Sequence, residues 1–439
     1  MAIETALSSV FPIGSRRNEL GRLEVGGCDT IELAKEFGTP AYVVCEEDLR
    51  VRAQAFKRAG AGANLEVVFA SKAFPCTAVL SIFASEGLWC EVASEGELHL
   101  ALRAGFPASR VLLHGNAKSS SELEYALAAG VALIVIDNFD EIDVLEALLR
   151  TRGNSDSPQH VLIRVTPDVR GQTHEKISTG QANSKFGFSI GEAQKAAQRL
   201  GEVRGLRLIG LHAHIGSQLL ELSPFRREVE QIAKVAGSLG GCEVWDLGGG
   251  LGVRYLEQQP SPPGIAEYVE TLLEAARNHD EAAPEGLPTG NETPERRILI
   301  EPGRSLTANG CVTLYTVQSV KRNASVWVAV DGGMSDNLRP MLYGAHYEAR
   351  LADRLDGGVR CVLAGKHCES GDVIVADALL PNPKRGDVVV TPGTGAYCYA
   401  MSNNYNGALR APVILCSRGD ARLVVRRDTL DDLTARDVH

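Results

Sequence analysis

The chain has 439 residues, and its 45 lysines and arginines stand against 55 acids, for a formal net charge of −10. That is longer than the roughly 250 residues of a single barrel domain, so a second domain is expected, and the acidic balance argues against a nucleic-acid partner, which would call for a basic face. No apolar stretch approaches the roughly 20 residues of a membrane span, and the opening MAIETALSSVFPIGSRR has no continuous apolar signal core, so we expect no membrane partner and a cytoplasmic location. The ten cysteines form no CxxC pair and read as mostly buried thiols in a reducing compartment.

In chain order, LEVGG, a short helix around Thr30 to Phe37 and the strand-like AYVVC come first. LEVGG is expected to join a sheet built mainly by the C-terminal part. Between Leu65 and Arg304 one pattern then repeats: a short apolar run ending in polar or Gly residues, followed by a helix-like stretch such as SELEYALAAG or EAQKAAQRLG. The runs are LEVVFASK, LWCEVAS, VLLHGN, LIVIDN, HVLIRVTP, LIGLHAHIGS, EVWDLGGG and ILIEPGR. Short Val-, Ile- and Leu-rich runs separated by amphipathic helices are what parallel strands buried on both faces look like. Eight βα units in succession close most simply into a (β/α)8 TIM-like barrel, whose chemistry sits where the strands end. Two long connections stand out. Asp168 to Ser189 reads as a lid or an interface segment, and Asp280 to Arg297, rich in Pro, Gly and acid, as a surface insertion. After Arg304 the helical period fades and VTLYTVQSV, SVWVAVDGG, VRCVLAG, GDVVVTPG and ARLVVRR follow. The expected α/β organisation is a barrel over residues 41–310 and a β-rich domain over residues 1–40 and 311–439.

The strand ends carry the chemistry. Lys72 closes the first run. At a dry barrel mouth its amine is a nucleophile toward carbonyls; alone, it reads equally as a lysine snorkelling to solvent. Its neighbours decide. Gly248, Gly249 and Gly250 follow the seventh run, where bare backbone N–H groups can hold an anion, and Glu301, Pro302, Gly303 and Arg304 follow the eighth, where Arg304 adds a charge-assisted fork. These are the loops in which barrels often bind phosphate. His212 and His214 lie two apart on one side of the sixth strand. No third residue of metal-ligand spacing accompanies them, so no metal is expected and a histidine serves better as a flat surface against an aromatic cofactor. Glu301 suits a proton on a pyridine nitrogen. Lysine, phosphate cradle, ring-facing histidine and carboxylate together fit pyridoxal phosphate.

Over almost its full length the chain resembles the fold-type III pyridoxal-phosphate decarboxylases, and within them the diaminopimelate branch. The resemblance rests on FASKAF, LLHGNAKS, HAHIGSQ, DLGGGLG, EPGRS, DGGMSDNLRPMLY, GKHCESGD and GAYCYAMSNNYN. It implies that Lys72 bonds the cofactor, His214 stacks on its ring and Glu301 holds the ring nitrogen. Ser217, Gly248 to Gly250, Arg304 and Tyr397 would bind the phosphate, and Arg304 and Tyr397 would also reach substrate. Arg339 and Tyr343 match the positions that grip substrate carboxylates, and Glu369, where the ornithine and arginine branches have Asp, suits a distal ammonium group. Cys368 would be the proton donor, contributed by the neighbouring subunit of a homodimer with shared sites. The implied reaction converts meso-2,6-diaminopimelate to L-lysine and CO2. The other readings are a related decarboxylase of ornithine, arginine, lysine or carboxynorspermidine, and a noncatalytic pyridoxal-phosphate carrier. Two departures from the family pattern are Glu95 in VASEGEL and Ala213 in HAHIGSQ.

Overall fold

The computed structural model describes residues 7–152, 157–167, 184–281 and 296–438. Most of both long connections, residues 168–183 and 282–295, therefore lies outside the described residues. The chain divides into two compact units, Arg52–Gly252 with Pro262–Gly303, and Met1–Val51 with Val253–Ser261 and Arg304–His439.

The first unit is the expected barrel. Its strands are Leu65–Ala70, Trp89–Val92, Val111–Leu113, Leu133–Ile136, Gln159–Thr166, Leu206–His212, Val244–Asp246 and Arg297–Ile300. Each pairs in parallel with the next, and the eighth closes on the first with Ile298 opposite Leu65. Val68, Leu112, Leu133, Leu162, Val244 and Leu299 pack into one buried core, each contributing about 1.5–3 kcal/mol through apolar burial. Strand six comes so close to strand seven that a Cβ on Gly210 would lie 2.0 Å from the Val244 carbonyl oxygen, so only glycine fits there. The helices start and stop where their chemistry says. Ser119 and Glu122 form a capping box for Ser120–Ala129, and Gly130, at φ 72°, ends it. Ser189 and Glu192 do the same at the start of Ile190–Gly201.

Three strands stop one or two residues before a polar group of interest. Lys72 sits in the short turn Ser71–Ala73, His114 follows Leu113, and Glu301 follows Ile300. A turn frees these side chains from the alternation of a strand, which would send every second one outward into the helical layer. Glu95 has a plain structural role. It is the exposed first residue of helix Glu95–Arg103, where a carboxylate complements the helix N-terminus, while Ser94 caps it by accepting from Glu97 N–H. Ala213 is fully buried and donates its N–H to the Asp246 carbonyl at 2.9 Å.

The second unit is β-rich. One path of its main sheet runs Val373–Leu380, Val359–Ala364, Val326–Val330, Cys311–Arg322, Ala41–Cys45, Val413–Ser417 and Asp420–Val425; Val388–Pro392 pairs with Cys311–Arg322 and with Arg350–Leu351. Two expectations change here. AYVVC, assigned above to the barrel, is a central strand of this sheet, antiparallel to Cys311–Leu314 and parallel to Val413–Cys416. LEVGG does not join the sheet: Leu23–Val25 forms a small three-stranded sheet with Arg16–Arg17 and Cys28–Asp29 and packs Leu23 and Val25 into the same core as Val43, Val312 and Ile414. Among the described residues, no helix is long and apolar enough to cross a membrane.

Candidate active site

In the barrel, Glu301 is the centre of a buried group. His114 Nε2 lies 2.7 Å from its Oε1 and His212 Nε2 lies 3.5 Å from its Oε2. Asp246 joins them, so that one ligating atom from each of the four residues falls within 4.8 Å of all the others. The expectation that His212 lacks companions is thus corrected: barrel closure supplies what sequence spacing does not. The group is closely packed, yet His114 Nε2, both His212 ring nitrogens, Asp246 Oδ2 and Glu301 Oε1 are buried without an aligned hydrogen-bond partner. The His114 and His212 rings meet edge to face at 4.7 Å, and Asp246 Oδ1 accepts from Gly248 N–H at 3.0 Å. The charges follow from the packing. Burial alone would raise the Glu301 carboxyl, but the adjacent His114 and His212 outweigh it and hold the group well below the usual carboxylate range. Burial pushes His212 down to about 3, against the pull of Glu301, so its ring is neutral at pH 7. Burial, with the Glu301 charge beside it, pushes the Asp246 carboxyl well above its ordinary value.

Lys72 is not in the dry pocket expected of it. Its side chain is 46% exposed, and its amine lies 2.9 Å and 3.1 Å from the two oxygens of the buried Glu91. Glu91, inside the second strand, therefore anchors the lysine. Ala70, two residues before Lys72, donates its N–H to the Pro302 carbonyl at 3.3 Å, and Gly303 leaves so little room that a Cβ there would lie 3.1 Å from that of Ala70. The EPG turn and the lysine turn are thereby braced against each other. His214 is held from the glycine loop: its Nδ1 accepts from Gly249 N–H at 3.2 Å. Burial and the Lys72 charge keep its imidazole well below its ordinary value, so it presents a neutral ring with the remaining proton on Nε2. Only glycine suits position 249, where a Cβ would stand 2.2 Å from the Glu301 carbonyl oxygen. Ser217 is half-buried just beyond the sixth strand.

In the β-rich unit, Arg304 and Arg339 are both buried and converge on one phenol. Arg304 donates to the Tyr255 hydroxyl at 2.5 Å and Arg339 at 3.1 Å. Arg339 also donates to the Tyr347 hydroxyl, which lies 3.6 Å from Cys398 Sγ, and that thiol donates to Asn337 Oδ1 at 3.4 Å. Among the described residues no carboxylate comes within ion-pair distance of Arg339. Tyr397 lies with its ring centroid 4.9 Å from the Arg304 guanidinium carbon and has φ 68°, a strained backbone for an aromatic residue. Arg339 and Tyr343 are four apart on the helix Arg339–Tyr343 and so share a face.

Cys368 is exposed in a neighbouring cluster, its N–H bound to Asn406 Oδ1 at 2.9 Å. Glu369 folds back on its own turn, accepting from Ser370 Oγ and Gly371 N–H at 3.4 Å each. The DGGMSDN loop ties this cluster to the arginine network: Asp372 accepts from Met334 N–H and His367 N–H, His367 Nε2 meets Ser335 Oγ at 2.8 Å, and Asn337 meets Cys398.

Each unit thus gathers its own share of the expected residues: Lys72, His214, Gly248, Gly249, Gly250 and Glu301 in the barrel, Arg304, Tyr397, Arg339 and Tyr343 in the other. Sequence reasoning missed His114, Asp246, Glu91, Tyr255 and Tyr347. The first three end or interrupt apolar runs already recognised as strands, and the rule that drew attention to Lys72 applies equally to them. The barrel residues fit pyridoxal phosphate on structural grounds. A buried carboxylate kept ionised by its surroundings matches a pyridinium nitrogen, and a neutral ring fixed from behind by a backbone N–H matches an aromatic face.

Comparison with known proteins agrees. The family described as the pyridoxal-binding domain of pyridoxal-dependent decarboxylases matches residues 46–308. Diaminopimelate decarboxylase from Bacillus subtilis (strain 168) is 43% identical, covering 97% of each chain, and that of Actinosynnema pretiosum subsp. auranticum is 45% identical over 100% of this chain and 96% of its own. The crystal structure of diaminopimelate decarboxylase from M. jannaschii in complex with L-lysine superposes with a TM-score of 0.89, at 30% identity and 99% coverage of both chains. The chain belongs to the pyridoxal-dependent decarboxylases, in the diaminopimelate decarboxylase family.

Proposed function

We propose that this chain decarboxylates meso-2,6-diaminopimelate to L-lysine and CO2, with pyridoxal phosphate as cofactor and Lys72 as the residue that bonds it. The observation that carries the substrate assignment is Arg339, a buried guanidinium held by two phenols and lacking a carboxylate partner among the described residues. A buried cation in that state is costly unless a ligand supplies the anion. A substrate with a second amino-acid end supplies it, and ornithine, arginine and lysine, which have no distal carboxylate, do not.

When bound, the cofactor supplies an electron sink for the carbon–carboxylate bond that breaks. The chain's own residues do the rest. Glu91 would hold the Lys72 ammonium whenever it is not bonded to the cofactor, as it does in this structure. Glu301 keeps a proton on the ring nitrogen, and His214 supports the ring face with a neutral imidazole. Ser217, Gly248, Gly249, Gly250, Arg304 and Tyr397 hold the phosphate, while Arg339, Tyr343 and Glu369 hold the distal carboxylate and ammonium groups. Cys368 returns a proton to the carbon that lost CO2. The deciding assay offers meso-diaminopimelate, L-lysine, L-ornithine and L-arginine separately and measures CO2. Release from diaminopimelate should exceed the other three; greater release from any of them overturns the substrate assignment.

We further propose a homodimer in which Cys368 serves the partner's site, a reading supported by the exposure of that thiol in the single chain. Mixing inactive Lys72→Ala and Cys368→Ala proteins under subunit exchange should restore about a quarter of wild-type activity, because random pairing gives half mixed dimers, each with one intact site. If no activity returns, the sites are not shared. A cytoplasmic setting is supported by ten free thiols, which suit a reducing compartment.

A further inference from the structure

The group behind Glu301 has a composition that a pyridine clamp alone does not require. One carboxylate would hold a ring nitrogen, yet His114, His212 and Asp246, from the third, sixth and seventh strand ends, all converge on it. His114 is placed with care. Its backbone N–H is tied to the Val92 carbonyl at 2.8 Å, its ring is wedged edge-on against His212, and its Nε2 reaches Glu301 Oε1 at 2.7 Å.

We propose that His114 is a positioning residue: its Nε2 lies 2.7 Å from Glu301 Oε1 without being aligned as a hydrogen bond in this structure, and with the cofactor bound it turns its N–H onto the carboxylate and, with Asp246 beside it, keeps the shared proton on the ring nitrogen rather than on Glu301. This inference rests on the cofactor reading given above. The reasoning is a competition for one proton between two bases, a Glu301 oxygen and the ring nitrogen. In a buried site a lone carboxylate would win it, because desolvation penalises the charged acid and a neutral pair results. Every hydrogen bond donated to the ionised carboxylate lowers its basicity and moves the proton toward the ring. A carboxylate has lone pairs enough to accept from His114 Nε2–H, from the Asp246 carboxyl and from the ring N–H together. The directions of the local shifts agree: Glu301 is held low, while Asp246 is pushed up, toward the form that can donate. His212, neutral and fully buried, packs the His114 ring without adding charge. Arg164, on the fifth strand, adds a more distant positive charge that also favours the ionised Glu301. A protonated ring is the stronger electron sink, so the three residues would matter to the rate although only Glu301 touches the cofactor.

The test reads the proton directly. Apoprotein is reconstituted with pyridoxal phosphate carrying nitrogen-15 in the ring, and the nitrogen shift is measured by NMR in wild type and variants. The wild type should show a protonated ring. His114→Phe, which keeps the ring-sized volume but cannot donate, should move the shift toward neutral pyridine and lower kcat roughly ten- to a hundredfold, the effect of losing one charge-assisted hydrogen bond, with KM little changed. His114→Gln, which can still donate, should restore most of both. Should His114→Phe fail to fold, His114→Asn, too short to reach Oε1, takes its place with the same expected shift. A protonated ring in the non-donating variant overturns the inference, as does a His114→Gln protein that behaves like it. If the wild type retains no labelled cofactor at all, the cofactor reading falls first and takes the inference with it.

Discussion

Replacing Lys72 with alanine should lower CO2 release from diaminopimelate by about four orders of magnitude, the scale on which losing a covalent catalytic group is felt. The same change should lower Tm, because Glu91, with a side chain only 1% exposed, loses the ammonium that both its oxygens now contact. These two consequences have different causes, and Lys72→Arg separates them. Arginine stays charged and can fork onto both oxygens of Glu91, so Tm should return toward the wild-type value. Its guanidinium is not a nucleophile at neutral pH, so activity should stay as low as in the alanine variant. Activity measurement and thermal unfolding on the two variants check both halves. If either variant keeps activity within tenfold of wild type, Lys72 is not the group that bonds the cofactor.

The barrel was legible because its signal is local and repeated. A run such as Leu133–Ile136, buried at every position, announces a parallel strand, and the first polar residue after it announces the catalytic rim. The same signal misplaced Ala41–Cys45. A short run buried throughout looks alike whether helices cover both faces of it or other strands flank it in a mixed sheet, and the partners that decide the matter begin at Cys311 and Val413. The site shows the same divide between local and distant information. Lys72 and Glu301 stand out because a charge interrupts an apolar pattern. That His114, His212 and Asp246 surround Glu301 is a fact of barrel closure, which brings strands three, six, seven and eight to one point. Tyr255 is harder still: it lies 49 residues from Arg304 and 84 from Arg339, in a loop without periodicity, and nothing short of the fold reveals that both guanidinium groups share its hydroxyl.

Arg339→Met should make the protein more stable and nearly inactive. Arg339 is 5% exposed, its charge has two phenols and no carboxylate among its described neighbours, and its Nε has no hydrogen-bond partner. Desolvating a guanidinium in this way is expensive, and replacing a poorly compensated buried charge with an apolar side chain of similar reach typically stabilises a protein by about 1–4 kcal/mol. Proteins accept such a cost where function draws on it. The ligand carboxylate is the missing partner, and truncating one side of a buried, hydrogen-bonded charge pair costs roughly 2–5 kcal/mol, about thirty- to several thousandfold in kcat/KM, most of it in KM because the grip lies away from the reacting carbon. Arg339→Lys should fall between, since it keeps the charge but loses the fork that contacts Tyr255 and Tyr347 at once. The two readouts point in opposite directions only if Arg339 is an anion site awaiting its ligand. A structural arginine would lose stability on replacement and leave KM alone, so a drop in Tm together with an unchanged KM would remove Arg339 from the substrate site. With it would go the physical reason for preferring diaminopimelate over substrates with one carboxylate.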